Sequence, residues 1–205
     1  MNASRMLFLA IVVIVTAVWR VVPHTFHVVP THALAVWAGA CLIDRRKNWS
    51  SALACLLPLA AQLVSDIVIE RTRMGTYYAP MLMVSVYCSL LASVAIGWLV
   101  NSRWAKSWSG PLWIAGAGVA SWTTFFVLTN FAEWAFTGYY PRTLAGFRDC
   151  YIAAWLFDSG KVAGVQIAPL SMLGNLVFQG ALFGTWALLP SRETESTTST
   201  AAATN

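Results

Sequence analysis

The stretch PMLMVSVYCSLLASVAIGWLV, from Pro80 to Val100, contains no Asp, Glu, Lys or Arg. It is as long as the roughly 20 apolar residues that a helix needs to cross the hydrocarbon core of a bilayer. In lipid the backbone must satisfy its own hydrogen bonds, so an apolar run of this length should be helical. A strand of a transmembrane barrel would alternate polar and apolar residues, and this run does not. The stretch therefore predicts a transmembrane helix.

The rest of the chain has a similar composition. Of its 205 residues 58% are hydrophobic and only 10% are charged, and the mean hydropathy is +0.63. A soluble domain is about a quarter charged. So few charged residues cannot cover a water-facing surface, whereas a lipid-facing surface needs none. The composition predicts a polytopic integral membrane protein in contact with the lipid bilayer and excludes a soluble enzyme.

Six apolar runs predict an all-α fold, a six-transmembrane-helix bundle that forms a single domain over residues 1–190. The second run is short for a span. Residues 191–205 are rich in Ser, Thr and Ala and are predicted to form a disordered tail. The predicted helices cover about residues 6–22, 31–43, 51–69, 80–100, 112–131 and 168–189.

The connection between the fifth and sixth predicted helices, residues 132–165, is too long to be featureless. Leu144, Phe147, Tyr151 and Trp155 recur there at helical spacing, with polar residues between them. This pattern predicts an additional amphipathic helix that lies at the outer membrane interface.

Pairs of small residues four positions apart allow two helices to approach closely. We expect close helix contacts at three such pairs: Gly180 and Gly184, Ala35 and Gly39, and Gly116 and Ala120.

The distribution of basic residues predicts an orientation. The net charge is +5, but the basic residues lie in short clusters between apolar runs, as in membrane loops near anionic lipid, so we do not expect a nucleic acid partner. With six spans, the clusters Arg45–Lys47 and Arg103–Lys106 lie on the same side as both termini. The positive-inside rule makes that side cytoplasmic.

Unusual polar residues gather at the opposite, outer end. Arg20, His24 and His27 belong to the first outer loop. Neutral imidazole is a metal ligand and changes charge near neutral pH, so this loop either contacts a ligand or metal, or holds interfacial histidines beside a helix break. Asp66 lies near the outer end of the third predicted helix, where a charge is costly and is usually paired or functional. Asp66 and Arg20 form either a structural ion pair or part of a binding site.

Cys150 and Tyr151 lie on the predicted interfacial helix, where the thiol could contact a ligand or a soft metal. A catalytic thiol would need a neighbouring base. The chain has no HExxH, GxSxG, Walker or paired-carboxylate motif, and His24-x-x-His27 lacks the acidic partners of a metal motif. We therefore predict no catalytic residue and no resident metal, and we do not expect an enzyme.

The same stretches carry a family resemblance, which covers about residues 15–185. The chain resembles a bacterial family of uncharacterised membrane proteins, with a domain of unknown function, that are described as transport proteins. The residues that carry the resemblance are Arg20…Pro23-His24…Pro30, Ser65-Asp66, Tyr87, Phe125-Phe126…Thr129-Asn130-Phe131…Trp134, Tyr140-Pro141…Gly146…Cys150-Tyr151 and Leu182-Phe183-Gly184.

At a more distant level the layout is similar to the membrane-embedded substrate-binding (S) components of energy-coupling factor vitamin transporters. Those proteins have six helices, and their outer loops close over a vitamin. The resemblance implies a multi-pass protein of the bacterial inner (cytoplasmic) membrane, a small-molecule substrate, and a coupling module with an ATPase as partner. The Ala-x-x-x-Ala pattern that many S components use to dock this partner is absent from the first predicted helix.

Together these observations predict a transport protein that binds a vitamin-like or cofactor-like organic substrate at the outer end of the bundle. No covalently bound cofactor is implied; if the ligand contains a metal, His27 or Cys150 would be its axial ligand. Two alternatives remain: an envelope structural or assembly protein without a ligand, and a membrane enzyme acting on a lipid-linked substrate. The candidate substrate-binding residues are Arg20, His24, His27, Asp66, Asn130, Trp134, Tyr140, Cys150 and Tyr151.

Overall fold

A computed structural model of the chain describes residues 3–22, 28–44, 48–72, 80–101, 109–162 and 165–189. Within these residues the chain forms seven helices and one short antiparallel β-hairpin. The elements are α1 (Ala3–Val21), α2 (Thr31–Leu42), α3 (Asn48–Thr72), α4 (Pro80–Val100), α5 (Gly110–Phe136), α6 (Leu144–Asp158), β1 (Ser159–Val162), β2 (Val165–Pro169) and α7 (Leu170–Leu188).

The six predicted helices correspond to α1 to α5 and α7, and α6 is the helix predicted within the long connection. The largest differences are at the ends of α3 and α5, where the helix continues beyond the apolar run. Polar residues are tolerated there because a helix end can leave the hydrocarbon region. The basic clusters at 45–47 and 103–106 and the tail from residue 191 lie outside the described residues.

The β-hairpin between α6 and α7 lies in a region that the sequence predicted as loop and as the start of the last helix. Lys161 pairs with Gln166 and Ser159 with Pro169, with an irregularity between Ser159 and Lys161. Ser159 and Gly160 are poor helix formers, which favours the end of α6 at Asp158. Pro169 has no N–H to continue a ladder, and it ends β2 directly before α7.

Four helices in the described part of the chain are long and apolar enough to cross a membrane: α1, α3, α4 and α5. Their outer faces carry large apolar side chains; Leu7, Leu56, Leu99 and Leu112 are each at least 61% exposed. In water such extensive exposed apolar surface would be costly, whereas in lipid it is not. α2 is apolar but has only 12 residues.

The short helix α2 lies at the centre of the bundle. Every residue from Thr31 to Ala40 is buried, and α2 packs against α1, α3, α4, α5 and α7. Trp37 is fully buried and meets Trp186 of α7 edge to face, with ring centroids 5.1 Å apart, and Phe8 of α1 at 5.5 Å. α2 does not need the length of a lipid-facing span, because the other helices surround it.

The backbones of α2 and α4 approach each other closely. A Cβ atom added to Gly39 would lie 2.0 Å from the carbonyl oxygen of Val94, and one added to Gly97 would lie 2.0 Å from that of Val36. Neither site has space for a side chain. The expected close contact at Gly39 is confirmed, and Gly97 provides the matching surface on α4.

The other two expected small-residue contacts are wrong. A Cβ added to Gly116, Gly180 or Gly184 would meet no atom within 4 Å, and all three glycines lie on exposed faces of α5 or α7. A spacing of four residues aligns small residues on one face of a helix, but it does not determine whether that face meets another helix.

We expect Gly39→Ala and Gly97→Ala each to destabilise the protein by about 1 to 3 kcal/mol, the usual cost of overpacking a tight contact. Gly116→Ala is the matched control. Its methyl group would enter open space, so the intrinsic helix preference of Ala should leave stability unchanged or raise it slightly. Thermal unfolding in a mild detergent, followed by tryptophan fluorescence, measures the difference. Equal midpoints for all three variants would contradict the backbone contact.

Candidate functional site

A cavity of about 740 Å³ opens at one end of the bundle. It lies where α1, α3 and α5 end and where α2, α4 and α7 begin, which is the end that the sequence predicts to be outer. The lining residues come from all seven described helices and from the residues just before α2: Arg20, Val29, Thr31, His32, Gln62, Asp66, Ile69, Leu82, Met83, Val86, Trp122, Phe125, Phe126, Thr129, Asn130, Ala154, Phe157, Asp158, Ser171 and Asn175.

An ion pair joins α1 to α3 at this cavity. Nη1 of Arg20 lies 2.7 Å from Oδ1 of Asp66, and the two side chains are only 16% and 10% exposed. The same Nη1 donates to the carbonyl oxygen of Gln62 at 3.3 Å and to the hydroxyl of Ser65. Asp66 follows Gln62 by one helical turn, so α3 presents both to Arg20 from the same face. The pair is therefore held from several directions.

Two further donors complete the hydrogen bonding of the Asp66 carboxylate. The Tyr87 hydroxyl of α4 donates to Oδ2 at 3.0 Å. Nε2 of Gln62 lies 3.3 Å from Oδ1 and 3.2 Å from Oδ2. A charged group removed from water is tolerated when it is both paired and hydrogen-bonded, and Asp66 meets both conditions. The network couples α1, α3 and α4.

Aromatic rings form another wall of the cavity. Trp122 and Phe126, one turn apart on α5, stack with ring centroids 5.2 Å apart and an angle of 23° between their planes. Trp155 of α6 meets both rings edge to face, at 6.1 and 6.3 Å. Phe157 of α6 is 72% exposed and lies on the lining as well. The wall offers flat, apolar surface to a ligand.

A hydrogen-bonded chain links α5, α6 and α7 beside this wall. Nε1 of Trp122 donates to the hydroxyl of Ser171 at 2.7 Å. That hydroxyl is also hydrogen-bonded to Oδ2 of Asp158, and the Ser171 backbone N–H donates to Oδ1 at 3.1 Å. Asp158, the last residue of α6, thus caps the first turn of α7, where an acidic group is favoured by the helix dipole.

His32 is the one histidine in the described residues, and it is 7% exposed at the start of α2. Its Nδ1 lies 3.1 Å from the hydroxyl of Ser93 on α4, which is 2.7 Å from the hydroxyl of Ser121 on α5. Its ring centroid lies 4.5 Å from that of Phe125. These contacts assign His32 a structural place between three helices. In the described part of the chain, no group of three His, Cys, Asp or Glu side chains could hold a metal ion.

Two amide side chains of α7, Asn175 and Gln179, are buried. Asn175 lines the cavity and donates from Nδ2 to the Gly118 carbonyl oxygen of α5 at 2.9 Å. Oδ1 of Asn175 and both polar atoms of the fully buried Gln179 have no hydrogen-bond partner in the described structure. Unsatisfied buried polar atoms are rare and costly.

The structure brings three of the predicted site residues together on one lining: Arg20, Asp66 and Asn130. Asn130 donates from Nδ2 to the Phe126 carbonyl oxygen at 2.7 Å, on its own helix. His24 and His27 lie outside the described residues.

The other four predicted site residues lie at the junction of α5 and α6 and are not on the lining of this cavity. Trp134 donates from Nε1 to the Pro141 carbonyl oxygen at 3.0 Å, and Tyr151 donates its hydroxyl to the Val127 carbonyl oxygen at 2.8 Å. The Cys150 thiol faces the Asn130 carbonyl oxygen at 3.5 Å. Tyr140 lies in the turn after α5 and is half-buried.

The turn between these two helices is closely packed. A Cβ added to Gly146 would lie 2.0 Å from the Pro141 carbonyl oxygen, and the Thr143 side chain caps α6 by accepting the Gly146 N–H at 3.1 Å. Gly138 has a φ of 79°, which disfavours other residues. Much of the string that carries the family resemblance therefore builds this turn.

Burial raises the pKa of the Cys150 thiol, and the negative charge of Glu133 adds to the shift. The side chain is 1% exposed. A thiol is a nucleophile and a metal ligand only as the thiolate, which a raised pKa disfavours at neutral pH. This arrangement favours a packing role for Cys150.

Several lining residues were not among the predicted site residues: Gln62, His32, Trp122, Asp158 and Asn175. Helical spacing could have found two of them, because Gln62 lies one turn before Asp66 and Trp122 one turn before Phe126. Asp158 gave no such signal, since its place depends on how α6 packs against α7.

Fold and site together define a helical-bundle protein with four helices able to cross a membrane and a polar-aromatic cavity at one end. The chain belongs to the family of unknown function DUF6580, which it matches over residues 1–198. No curated protein and no solved structure gives a significant match.

A double-mutant cycle tests the Arg20–Asp66 pair. We expect Arg20→Ala and Asp66→Ala each to destabilise the protein by about 3 to 5 kcal/mol, because each leaves a buried charge unpaired. The double variant should lose clearly less stability than the sum of the losses in the two single variants. The exposed pair of Arg148 and Asp149, with side chains 70% and 53% exposed, serves as control and should cost less than about 1 kcal/mol. Additive effects in the first cycle would contradict the ion pair.

The Cys150 thiol should resist N-ethylmaleimide at pH 7 in a variant whose other three cysteines are Ala. The reaction rate should rise only when the pH exceeds the usual range of thiol pKa values, because the raised pKa keeps the thiol protonated. The matched control moves the single cysteine to Ile152, a 49% exposed position on the same helix, and should react roughly tenfold faster or more. Intact-protein mass spectrometry gives both rates. Equal rates would contradict the packing role.

Proposed function

We propose that this protein is an integral membrane transport protein and that the cavity at the end of the bundle holds its small organic substrate. The observation that carries the proposal is the cavity itself, with a volume of about 740 Å³. Ligand pockets for small molecules fall between about 300 and 1,000 Å³. The volume suits a vitamin-sized or cofactor-sized molecule.

The chemistry of the lining supports the same proposal. Small-molecule sites combine apolar and aromatic walls with a few well-placed polar groups. Here Trp122, Phe125 and Phe126 supply ring surface, and Arg20 and Asp66 supply polar groups that are already held in place. A preorganised site loses less free energy when it orders around its ligand.

The buried charges also favour a functional cavity over a purely structural bundle. Ionisable side chains within membrane-spanning segments are costly and usually mark a substrate or ion pathway. Arg20 and Asp66 lie near the ends of α1 and α3, and both border the cavity. A bundle that needed only to be stable could use apolar residues at both positions, often without loss of stability.

The proposed setting is the bacterial inner membrane, with both termini cytoplasmic and the cavity facing outward. The positions of the basic residues in the sequence support this orientation. From the distant resemblance of the sequence to energy-coupling factor S components, we propose a coupling module with an ATPase as a partner. His24 and His27, in the segment before α2, are also proposed to contact the substrate. If the substrate carried a metal, we propose His27 rather than Cys150 as its ligand, because the Cys150 thiol is buried and is not on the lining of the cavity.

Filling the cavity should abolish substrate binding. Ala154 lines the cavity, so we expect Ala154→Phe to occupy it. Ala120, on an exposed face of α5, provides the control Ala120→Phe. Proteins are purified in mild detergent, co-purifying small molecules are identified by mass spectrometry, and a thermal-shift panel of vitamins and organic cofactors is recorded. A ligand present at a hundred times its Kd should stabilise the wild type and the control by about 2.7 kcal/mol, and Ala154→Phe by much less.

A wild-type protein that carries no small molecule and responds to no compound in the panel would contradict the transport proposal. That result would favour an envelope structural protein. Turnover of a lipid-linked compound by the purified protein would instead favour the enzyme alternative.

A further inference from the structure

The charges on the cavity lining do not balance. Among the residues that the structure describes, three charged side chains border the cavity: Arg20, Asp66 and Asp158. Arg20 and Asp66 neutralise each other at 2.7 Å. Asp158 has no cationic partner among the side chains that the structure describes. The described lining therefore carries one negative charge in excess.

The hydrogen bonds of Asp158 hold its carboxylate in place without neutralising it. Its partners are the backbone N–H and the hydroxyl of Ser171, and both are uncharged donors. The Ser171 hydroxyl is in turn held by Nε1 of Trp122. The N-terminus of α7 contributes roughly half a positive charge, which leaves the carboxylate net negative. A positively charged ligand group would complete the compensation.

A second observation indicates the same ligand chemistry. Asn175 lies one helical turn after Ser171 and also lines the cavity, and it is 3% exposed. Because Nδ2 donates to the Gly118 carbonyl oxygen, Oδ1 must be the atom left without a partner. Oδ1 of Asn175 is therefore an acceptor on the lining that lacks a donor.

The aromatic wall lies beside these acceptors. The faces of Trp and Phe rings attract organic cations within about 6 Å of the ring centre. Trp122 is held by its bond to Ser171, and Phe157 directly precedes Asp158 in the sequence. A cation bound to Asp158 would therefore meet aromatic surface as well as a carboxylate.

An anionic ligand would find less to bind. The described positive charge on the lining is that of Arg20, and its Nη1 is engaged by Gln62, Ser65 and Asp66. A ligand carboxylate would have to compete with Asp66 in a site that already carries excess negative charge.

Building on the proposed function, we propose that the ligand is an organic cation, an amine or quaternary ammonium compound with a flat apolar body, whose charged group binds at Asp158. The acceptors around Asp158 and the rings of Trp122 and Phe157 would select this class. Arg20 and Asp66 would act as a neutral polar wall.

Two probes of opposite charge on the same benzyl group test the proposal: benzyltrimethylammonium and benzylsulfonate. Isothermal titration with wild-type protein in a non-ionic detergent should show binding of the cation and none of the anion. Asp158→Asn keeps the hydrogen bonds to Ser171 feasible and should weaken cation binding by roughly tenfold or more. Asp149→Asn, on the exposed face of the same helix, is the matched control and should bind like the wild type.

If Asp158→Asn does not fold, as judged by its unfolding midpoint without ligand, Phe157→Leu replaces it and should also weaken cation binding. Preference for benzylsulfonate, or equal cation binding by wild type and Asp158→Asn, would overturn the cation proposal. If the binding that remains is lost in Ala154→Phe, the cavity would stand as a ligand site of another class. Failure of both probes to bind would overturn the cation proposal, while a co-purified neutral molecule would still uphold transport.

Discussion

The contact on which the bundle depends is the one between α2 and α4. The two helices meet at three levels, where His32 meets Ser93, Val36 meets Gly97, and the Ile43 carbonyl oxygen accepts a hydrogen bond from Asn101 at 3.0 Å. The residue numbers of both helices increase from one level to the next, so the two helices run parallel. Ser93, Gly97 and Asn101 are four positions apart, so they place small or polar side chains along this face of α4. With no large side chain between the backbones, α2 can lie inside a ring formed by the other helices.

Burying α2 has a consequence for the distribution of polar groups. Apolar side chains can face lipid, whereas serine, amide and charged side chains lie between the helices. Each of these polar groups needs a hydrogen-bond partner there. Ser93 and Ser121 find each other, and Asp66 has partners on three helices. At the end of the bundle where the cavity lies, two buried polar atoms of the lining, the Thr31 hydroxyl and Oδ1 of Asn175, have no partner in the described structure. The same physical requirement that makes the interior polar thus also makes the cavity polar.

The helices could be predicted from the sequence because the thickness of a bilayer dictates the length of an apolar run. Their packing could not be predicted in the same way. Ala35-x-x-x-Gly39 and Gly180-x-x-x-Gly184 have the same pattern, yet only the first lies at a helix contact. The spacing of Gly and Ala does not predict the contact at Gly97, because the residue four positions before it is Ser93. The hairpin between α6 and α7 was also missed, since its short strands lie next to a run that resembles the start of a helix.

The candidate site was predictable to the extent that it depends on single residues with an unusual cost. Arg20 and Asp66 stood out because charges are expensive in apolar spans, and the structure pairs them. Trp134 and Cys150 stood out for their chemistry, but side chains of both kinds also serve in packing, which is their use between α5 and α6. The residues next to Asp158 in the sequence do not mark it as a site residue. Its hydrogen-bond partner, Ser171, is brought to it only by the packing of the first turn of α7 against the end of α6. The residue with the strongest claim to contact a ligand is therefore one that tertiary structure alone could reveal.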